Sequence, residues 1–424
     1  MTNPALQAEL NNYASIYADY LQFFCDHGVE FGEPHAQREA VAQVRARLRE
    51  KGATVRNGGA SICVNGLSTA CVACTGGASE TFYFSLKCHR NCYFCFNPNQ
   101  ENYEHHLTHD RDWRSELAAI EASGRPMTHL ALTGGEPLLR PAEACAFFAR
   151  ARTSWPQAHL RLYTAGDHLD LAMLRDLVAA GMNEIRFSFK PDDDPAQWER
   201  GLERIRMAVQ QEPQLAVMVE MPVIPGTQQR MRQLLLDLDA AGAWGINLLE
   251  FCFPLHNWEA FAQRGFKVAN PPFPVLYDYE YAGSLPIEGS ELACLELAEF
   301  ALDEGLRLSV HYCSLENKHR DQVLQQNRLA QVDDACYVLD EQDFFYKTAK
   351  VFGRDVAPVR ALLGRKRQVT PGSWRHEPQD GCLLFNPRYV PLLKGLGVEP
   401  VVSVNVIEAR GEQLVLRELA LLPV

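Results

Sequence analysis

The chain has 424 residues, of which 47% are hydrophobic and 22% are charged, and its formal net charge at pH 7 is −12. This length allows one large domain with additions or two domains, and the acidic balance disfavours nucleic acid as the main partner. No apolar stretch approaches the ~20 residues of a membrane span, and the first residues lack the features of a signal peptide. We therefore expect a cytoplasmic globular protein with no membrane partner.

The chain contains thirteen cysteines, a number that could suggest disulfides. The count is odd, and six of the cysteines lie between Cys63 and Cys95. Such clustering in a large chain favours metal ligation in a reducing compartment over a disulfide scaffold.

The N-terminal part predicts two helices, at 4–25 and 35–51, followed by a first group of thiols. Cys63 precedes a Cys-x2-Cys pair formed by Cys71 and Cys74. Such a pair can present two sulfurs to one metal, although a redox pair or simply buried thiols would have the same spacing. We treat the group as a candidate second metal site.

A predicted strand at 81–87 leads into a loop with three cysteines, Cys88, Cys92 and Cys95, spaced Cys-x3-Cys-x2-Cys. Three thiolates are one fewer than the four that hold an ordinary iron–sulfur cluster, so one iron would stay open to a ligand that is not protein. A zinc knuckle or three unrelated cysteines are the alternatives, but zinc normally takes four protein ligands.

This cysteine spacing resembles the radical S-adenosylmethionine (SAM) superfamily, and the aromatic Phe94 before the last cysteine fits that family. In the superfamily the open iron of a [4Fe–4S] cluster binds the amino and carboxylate groups of SAM. One electron then cleaves SAM to methionine and a 5′-deoxyadenosyl radical. The resemblance implies both cofactors and an electron donor such as flavodoxin or ferredoxin.

A second motif follows about forty residues later, where the apolar residues 129–132 run into a Gly-Gly-Glu-Pro turn. Glycines let the backbone approach a ligand closely, and a carboxylate can accept hydrogen bonds from an ammonium group. The turn resembles the GGEP motif of the same superfamily, in which the backbone and the glutamate hold the amino group of SAM. The residues implied are Gly134, Gly135, Glu136 and Pro137.

From residue 81 onward strand and helix patterns alternate. The predicted strands are 81–87, 129–133, 159–164, 184–190, 214–224 and 245–253, and the predicted helices are 111–123, 141–153, 168–181, 194–211 and 227–242. Six such units favour an α/β fold with a parallel sheet and helices outside it, and the superfamily's partial (β/α)6 TIM-type barrel has this count. We expect an N-terminal helical segment with the first thiols (1–78), the barrel (79–315) and a C-terminal α+β extension of helices and a hairpin (316–424).

In barrels of this kind chemistry gathers at the C-terminal ends of the strands, so five further residues are candidates for cofactor binding. Thr164 lies in a turn that resembles the family's Thr-Asn-Gly turn, and Ile224 lies in a segment that resembles the apolar flank of adenine. Ser188 is placed to bond the SAM ribose and Lys190 its carboxylate, and Glu220 is a further polar candidate. Packing or local hydrogen bonding would explain any one of them equally well.

The C-terminal part predicts a strand at 306–314 that ends near Cys313, then a helix at 317–329. Residues 334–375 have a helical pattern with polar breaks. Two β-rich runs at 401–406 and 413–417 flank a glycine and predict a hairpin.

Residues 60–330 resemble one uncharacterised group of radical SAM proteins that is related to pyruvate formate-lyase activating enzyme. Its members carry an early Cys-x2-Cys and a later Tyr-Cys-Ser before a helix. The chain departs from that group at Phe96, where the group usually has proline. The resemblance suggests a second iron–sulfur cluster. Its expected ligands are Cys63, Cys71, Cys74 and Cys313.

Two functions are compatible with these patterns. The first is a radical SAM enzyme that takes hydrogen from a peptide or a small molecule with the help of a second cluster; no catalytic residue can be assigned. The alternative is a non-catalytic iron–sulfur electron-transfer or zinc-binding protein. The Gly-Gly-Glu-Pro turn argues against the alternative, because electron transfer has no use for an ammonium site.

Overall fold

The first sheet of the protein is built mainly from parallel strands. The structure is a computed structural model that describes residues 3–74, 78–190, 193–277, 284–411 and 413–424. The strands of this part are β1 (Thr54–Arg56), β2 (Ser61–Val64), β3 (Ser79–Phe82), β4 (His129–Leu132), β5 (His159–Thr164), β6 (Glu184–Phe187), β7 (Ala216–Val223), β8 (Gly245–Glu250), β9 (Cys252–Phe253), β10 (Leu285–Pro286) and β11 (Ser309–Cys313). Strands β3 to β8 are parallel neighbours in chain order, and β11 lies parallel to β8. β2 pairs antiparallel with β11, and β1 pairs antiparallel with β2 at the edge of this sheet. This is the sheet of a partial TIM-type barrel, as predicted, so the C-terminal ends of the parallel strands share one edge.

Helices alternate with these strands and follow the predicted helix starts and stops closely. The helices are α1 (Pro4–Asp26), α2 (Arg38–Glu50), α3 (Thr69–Cys74), α4 (Tyr103–His106), α5 (Trp113–Ala122), α6 (Pro141–Ser154), α7 (Leu171–Ala179), α8 (Pro195–Gln211), α9 (Gln228–Ala241), α10 (Trp258–Ala262), α11 (Ser290–Asp303), α12 (Leu315–Asn327) and α13 (Val356–Arg365). α8 begins with a capping box between Asp194 and Gln197, and α9 ends at Gly242 with φ +73°. Both signals are local in the sequence, which is why these ends were predictable.

The two faces of the sheet differ in polarity. Leu160 and Leu162 of β5 belong to the hydrophobic core between the sheet and the helices. Because neighbouring residues of a strand point to opposite faces, Arg161 and Tyr163 point to the other face. We call this second face the inner face; it collects buried charged side chains, Arg186 and Glu184 of β6 among them.

The chain divides into two compact units, whose borders differ from the predicted domains. The barrel unit is Phe31–Pro272 with Tyr281–Asp321, and the second unit is Met1–Glu30, Phe273–Glu280 and Gln322–Val424. The border predicted at 78/79 does not match, since α2, β1 and β2 fold with the barrel because β2 pairs with β11. Pairing between strands so far apart in sequence leaves no local signal.

The second unit contains a six-stranded antiparallel sheet. Its strands are β12 (Val338–Leu339), β13 (Tyr346–Phe352), β14 (Trp374–Glu377), β15 (Cys382–Phe385), β16 (Val401–Arg410) and β17 (Gln413–Pro423). The hairpin prediction is confirmed, as β16 pairs with β17. The helical prediction for 334–375 is wrong outside α13, because strand pairing overrides the helix propensity of residues such as Lys347 and Ala349. None of the described helices is long and apolar enough to cross a membrane.

Candidate active site

The three cysteines of the loop follow β3 at the C-terminal edge of the sheet. The strand predicted at 81–87 ends earlier, at Phe82, and the chain then runs without strand pairing into the loop. Within the loop the Cys95 amide donates to the Cys92 carbonyl oxygen at 3.1 Å, which forms a tight turn. The loop therefore brings residues that are close in sequence to one place.

The thiols of this loop influence one another electrostatically. Burial raises the pKa of Cys88 and of Cys95, and the neighbouring Cys92 thiol adds to both rises. Within the described ranges no group of three or more His, Cys, Asp or Glu side chains is already arranged to hold a single metal ion. The loop nevertheless supplies three thiols, the number that would hold a cluster with one open iron, so these residues fit a [4Fe–4S] cluster.

The Gly-Gly-Glu-Pro turn is hydrogen-bonded to the segment that leads into the cysteine loop. The Gly135 amide donates to the Ser85 carbonyl oxygen at 3.1 Å, and the Glu136 amide donates to that of Lys87 at 2.9 Å. A Cβ atom at position 135 would lie 1.9 Å from the Lys87 carbonyl oxygen. Only glycine permits this approach, so the second glycine of the motif joins the two predicted parts of the site.

The carboxylate of Glu136 is buried and held in one orientation. Its Oε1 accepts from the Thr164 hydroxyl at 2.7 Å and from the Leu138 amide at 3.0 Å, and its Oε2 accepts from the Ala165 amide at 2.7 Å. Each carboxylate oxygen can accept more than one hydrogen bond, so capacity for a further donor remains. Thr164 thus supports Glu136, and this suits the glutamate to bind an ammonium group.

Arg90 ties the cysteine loop to two carboxylates. Its Nε and Nη2 donate to both oxygens of Asp167 at 2.6 and 2.8 Å, and its Nη1 donates to Asp193 at 2.8 Å. Burial alone would raise the pKa of Asp167, but hydrogen bonds from Arg90 and His89 lower it to about 2. The loop is therefore clamped in a defined position by charge-assisted hydrogen bonds.

Replacing Arg90 with glutamine will destabilise the barrel unit by about 1–3 kcal/mol, because two carboxylates lose a charged donor. Asp167 has a lowered pKa in the folded chain, so its ion pair with Arg90 contributes fully to the free energy of unfolding above about pH 4. The contribution is lost as the pH falls towards 2, and the difference between the two chains should shrink with it. Urea unfolding of the metal-free protein at pH 7 and at lower pH measures this.

Arg206→Gln is the matched control, since Arg206 and Glu199 form an ion pair on α8 with side chains 41% and 57% exposed. Exposed pairs of this kind contribute about 0–1 kcal/mol. Equal effects of the two substitutions would show that the Arg90 contacts do not hold the loop.

A polar cavity of ≈ 530 Å³ opens beside Cys92. Lys190, Arg200 and Arg204 line it together with the two carboxylates bound by Arg90. With Arg90, which pairs with these carboxylates, four cations line the wall and suit the cavity to a ligand with a carboxylate group.

Two other predicted residues differ in where they lie: Ser188 is at this site, and Glu220 is not. The Ser188 amide donates to the Thr164 carbonyl oxygen at 2.8 Å, which places Ser188 beside the residue that supports Glu136. Glu220 instead accepts hydrogen bonds from Arg186 and, at 2.7 Å, from Asn247 on the inner face.

Phe94, Ile224 and Pro137 contribute apolar surface. Phe94 packs edge-on against Phe251, with ring centroids 5.7 Å apart. Ile224 is 5% exposed and Pro137 is buried. These positions are compatible with apolar contacts of a cofactor, which stay a prediction.

A second thiol group, which we define as Cys63, Cys71, Cys74 and Cys313, comes together from β2, α3 and β11. Cys63 lies opposite His311 in the pairing of β2 with β11. Burial raises the pKa of Cys313 to about 12, and the nearby thiols of Cys71 and Cys74 add to the rise. The group contains four thiols, the number that complete protein ligation of a cluster would need.

Arg186 of β6 reaches this second group on the inner face. Its Nη2 lies 3.0 Å from the Cys71 sulfur. Burial alone would raise the pKa of the Cys71 thiol, but the Arg186 guanidinium and a hydrogen bond from His311 lower it to about 6. A thiolate is the form that binds metal.

Sequence reasoning missed Arg90 and Arg186. Arg90 lies inside the cysteine motif, but the side chains that it binds are 77 and 103 residues away. For Arg186 a signal existed, since Glu184 and Arg186 alternate with apolar residues in β6 and thereby indicate a charged inner face.

The comparisons with known proteins agree with this geometry. Residues 82–238 match the family model of the Radical SAM superfamily. A relative in Methanocaldococcus jannaschii, provisionally named a glycyl-radical enzyme activating enzyme, is 24% identical over 270 residues, or 62% of this chain and 67% of the relative.

Two solved structures show weaker likenesses. Streptococcus suis SuiB bound to its precursor peptide SuiA is 12% identical, with 52% of this chain and 45% of SuiB covered and a TM-score of 0.34. Coproporphyrinogen III oxidase (HemN) from Escherichia coli, a radical SAM enzyme, is 15% identical, with 57% of each chain covered and a TM-score of 0.33. The chain thus spans less than half the length of SuiB, and at these TM-scores neither structure informs the site.

The matched residues 82–238 include both the cysteine loop and the Gly-Gly-Glu-Pro turn. The Gly-Gly-Glu-Pro turn is also hydrogen-bonded to the segment that leads into the cysteine loop. Residues 82–238 therefore form a domain of the radical SAM superfamily.

Proposed function

We propose that the enzyme cleaves SAM reductively at a [4Fe–4S] cluster bound by Cys88, Cys92 and Cys95 and takes a hydrogen atom from a peptide or a small molecule. The observation that carries this proposal is the hydrogen bonding of the Gly-Gly-Glu-Pro turn to the segment before the cysteine loop, which joins a thiol donor set to a pre-oriented carboxylate. When bound, the cluster supplies the electron that cleaves SAM. A protein such as flavodoxin or ferredoxin provides that electron.

The residues of the chain have separate roles in this proposal. Glu136 accepts from the SAM ammonium group, and Thr164 keeps its carboxylate in place. Lys190, on the wall of the polar cavity, binds the carboxylate of SAM. Ser188 bonds the ribose, and Ile224 contributes apolar contact to the adenine.

The test is anaerobic reduction of the iron-loaded enzyme with SAM, followed by chromatography for 5′-deoxyadenosine. We expect 5′-deoxyadenosine to form with the unaltered chain and a strong reductant. If none forms while the iron is fully loaded, the alternative gains, namely a non-catalytic iron–sulfur electron-transfer protein; zinc in place of iron would favour a zinc-binding protein.

We further propose that the second thiol group binds an auxiliary [4Fe–4S] cluster, which would supply one-electron redox chemistry near the substrate. Cys313→Ala should reduce the iron content from about eight to about four per chain, since each [4Fe–4S] cluster needs its complete set of thiolates. Iron analysis together with electron paramagnetic resonance (EPR) measures the loss.

Cys294→Ala is the control for the loss of a buried thiol, because Cys294 is fully buried on α11 outside both thiol groups. It should leave the iron content unchanged. An unchanged second cluster in Cys313→Ala would remove Cys313 from the ligand set.

The named relative supports a second candidate, in which the hydrogen atom comes from a glycine residue of a partner protein. Incubation with proteins labelled by [2-²H]glycine should then place deuterium in 5′-deoxyadenosine. Absence of deuterium, with 5′-deoxyadenosine still formed, would favour the small-molecule substrate.

A further inference from the structure

Arg186 makes a set of contacts that a structural ion pair does not need. Its Nε donates to Glu184 at 2.6 Å, and its Nη1 binds Glu220. Its Nη2 faces the second thiol group, at 3.0 Å from the Cys71 sulfur and 2.9 Å from the Ser68 hydroxyl oxygen. The side chain is only 1% exposed, so water does not screen its charge from the thiol.

A second cation lies on the same face. Arg161 is 4% exposed, and its Nε has no hydrogen-bond partner within the described ranges. Its Nη1 lies 3.8 Å from Oε1 of Glu184, and its guanidinium lies 4.6 Å from the centre of the Tyr163 ring. A buried donor without an acceptor is costly, so Arg161 has hydrogen-bonding capacity left for an acceptor on the inner face, and its positive charge favours an anionic one.

A cluster held by four thiolates is such an anion, and its charge grows more negative on reduction. Hydrogen bonds to its sulfurs and nearby positive charge stabilise the reduced form and raise the reduction potential. We propose that Arg186 is a positioning residue that raises the reduction potential of the auxiliary cluster through its contact with the Cys71 sulfur. This inference depends on the proposed auxiliary cluster.

The experiment uses the full chain with Cys88, Cys92 and Cys95 all replaced by alanine. Only the auxiliary cluster can then bind, so an EPR-monitored redox titration reports one midpoint potential. The readout requires neither SAM nor a substrate, and it separates the effect of Arg186 from the chemistry of the other cluster.

Two substitutions should shift this potential in opposite directions. Arg186→Met removes the positive charge and should lower the midpoint potential by at least about 59 mV. For one electron this is a tenfold change in the reduction equilibrium. Glu220→Gln removes a negative charge bound to Arg186 and should raise the potential. Arg186→Lys keeps the charge but loses the planar fork, so its potential should lie between those of the methionine variant and the unaltered arginine.

Arg206→Met is the control, since this exposed arginine of α8 pairs with Glu199 and should leave the potential unchanged. A purely structural Arg186 would change stability but leave the potential constant in all variants, and that result overturns the inference. If Arg186→Met does not fold, the direction of the Glu220→Gln shift decides. If the triple-alanine chain binds no iron, the auxiliary cluster itself is rejected.

Discussion

Replacing Cys92 with alanine will abolish the formation of 5′-deoxyadenosine. Cys92 is the central cysteine of the loop, and its thiol raises the pKa of both Cys88 and Cys95 in addition to the effect of burial. Loss of groups that merely support a metal ligand already costs 10–100-fold, so the loss of a ligand should reduce the rate by more than about 100-fold. Chromatography after anaerobic turnover measures the loss of 5′-deoxyadenosine, and iron analysis of the same sample measures the loss of bound iron.

Cys145→Ala provides the matched control, because Cys145 lies on α6 of the same unit and is partly buried against the outer core. It should retain the full iron content and rate. Substantial 5′-deoxyadenosine from Cys92→Ala would contradict the assignment of the loop. Full iron content without product would show that Cys92 is needed for the geometry of the cluster and not for its binding.

Replacing Gly135 with alanine should be nearly as damaging, although the substitution adds only one methyl group. The new Cβ would lie 1.9 Å from the carbonyl oxygen of Lys87 and 2.6 Å from the carbonyl carbon of Leu86. Both are backbone atoms, which cannot rotate away as a side chain can. Overpacking typically costs about 1–3 kcal/mol, and here relief requires moving the segment that leads to Cys88. We expect at least a tenfold loss of 5′-deoxyadenosine formation and less bound iron.

Gly364→Ala tests whether an added methyl group is harmful in general. Gly364 lies in α13 with an ordinary helical φ, and the nearest atom to its added Cβ is 3.9 Å away on Trp374. Alanine favours helices by up to about 1 kcal/mol over glycine, so this variant should keep its activity and be slightly more stable in urea. Normal activity of Gly135→Ala would show that the close contact between the turn and the segment before Cys88 is dispensable.

The barrel was predictable because its signals repeat locally. Alternating strand and helix patterns placed β5 at its observed bounds and α6 within one residue. In the second unit the same reasoning assigned helix to 334–375, where the chain forms β13. That strand is stabilised by pairing with β15 and β16, and such long-range pairing is not encoded in a short window of sequence.

The sequence by itself predicted which thiols and which carboxylate belong to one site, because the spacing of Cys88, Cys92 and Cys95 and the Gly-Gly-Glu-Pro turn are local patterns. Only the tertiary structure decided what surrounds them. Arg90 reaches Asp167, and Arg186 reaches Cys71, across 77 and 115 residues. The physical reason is that buried charges must find partners in space, and which partners they meet depends on strand order in the folded sheet.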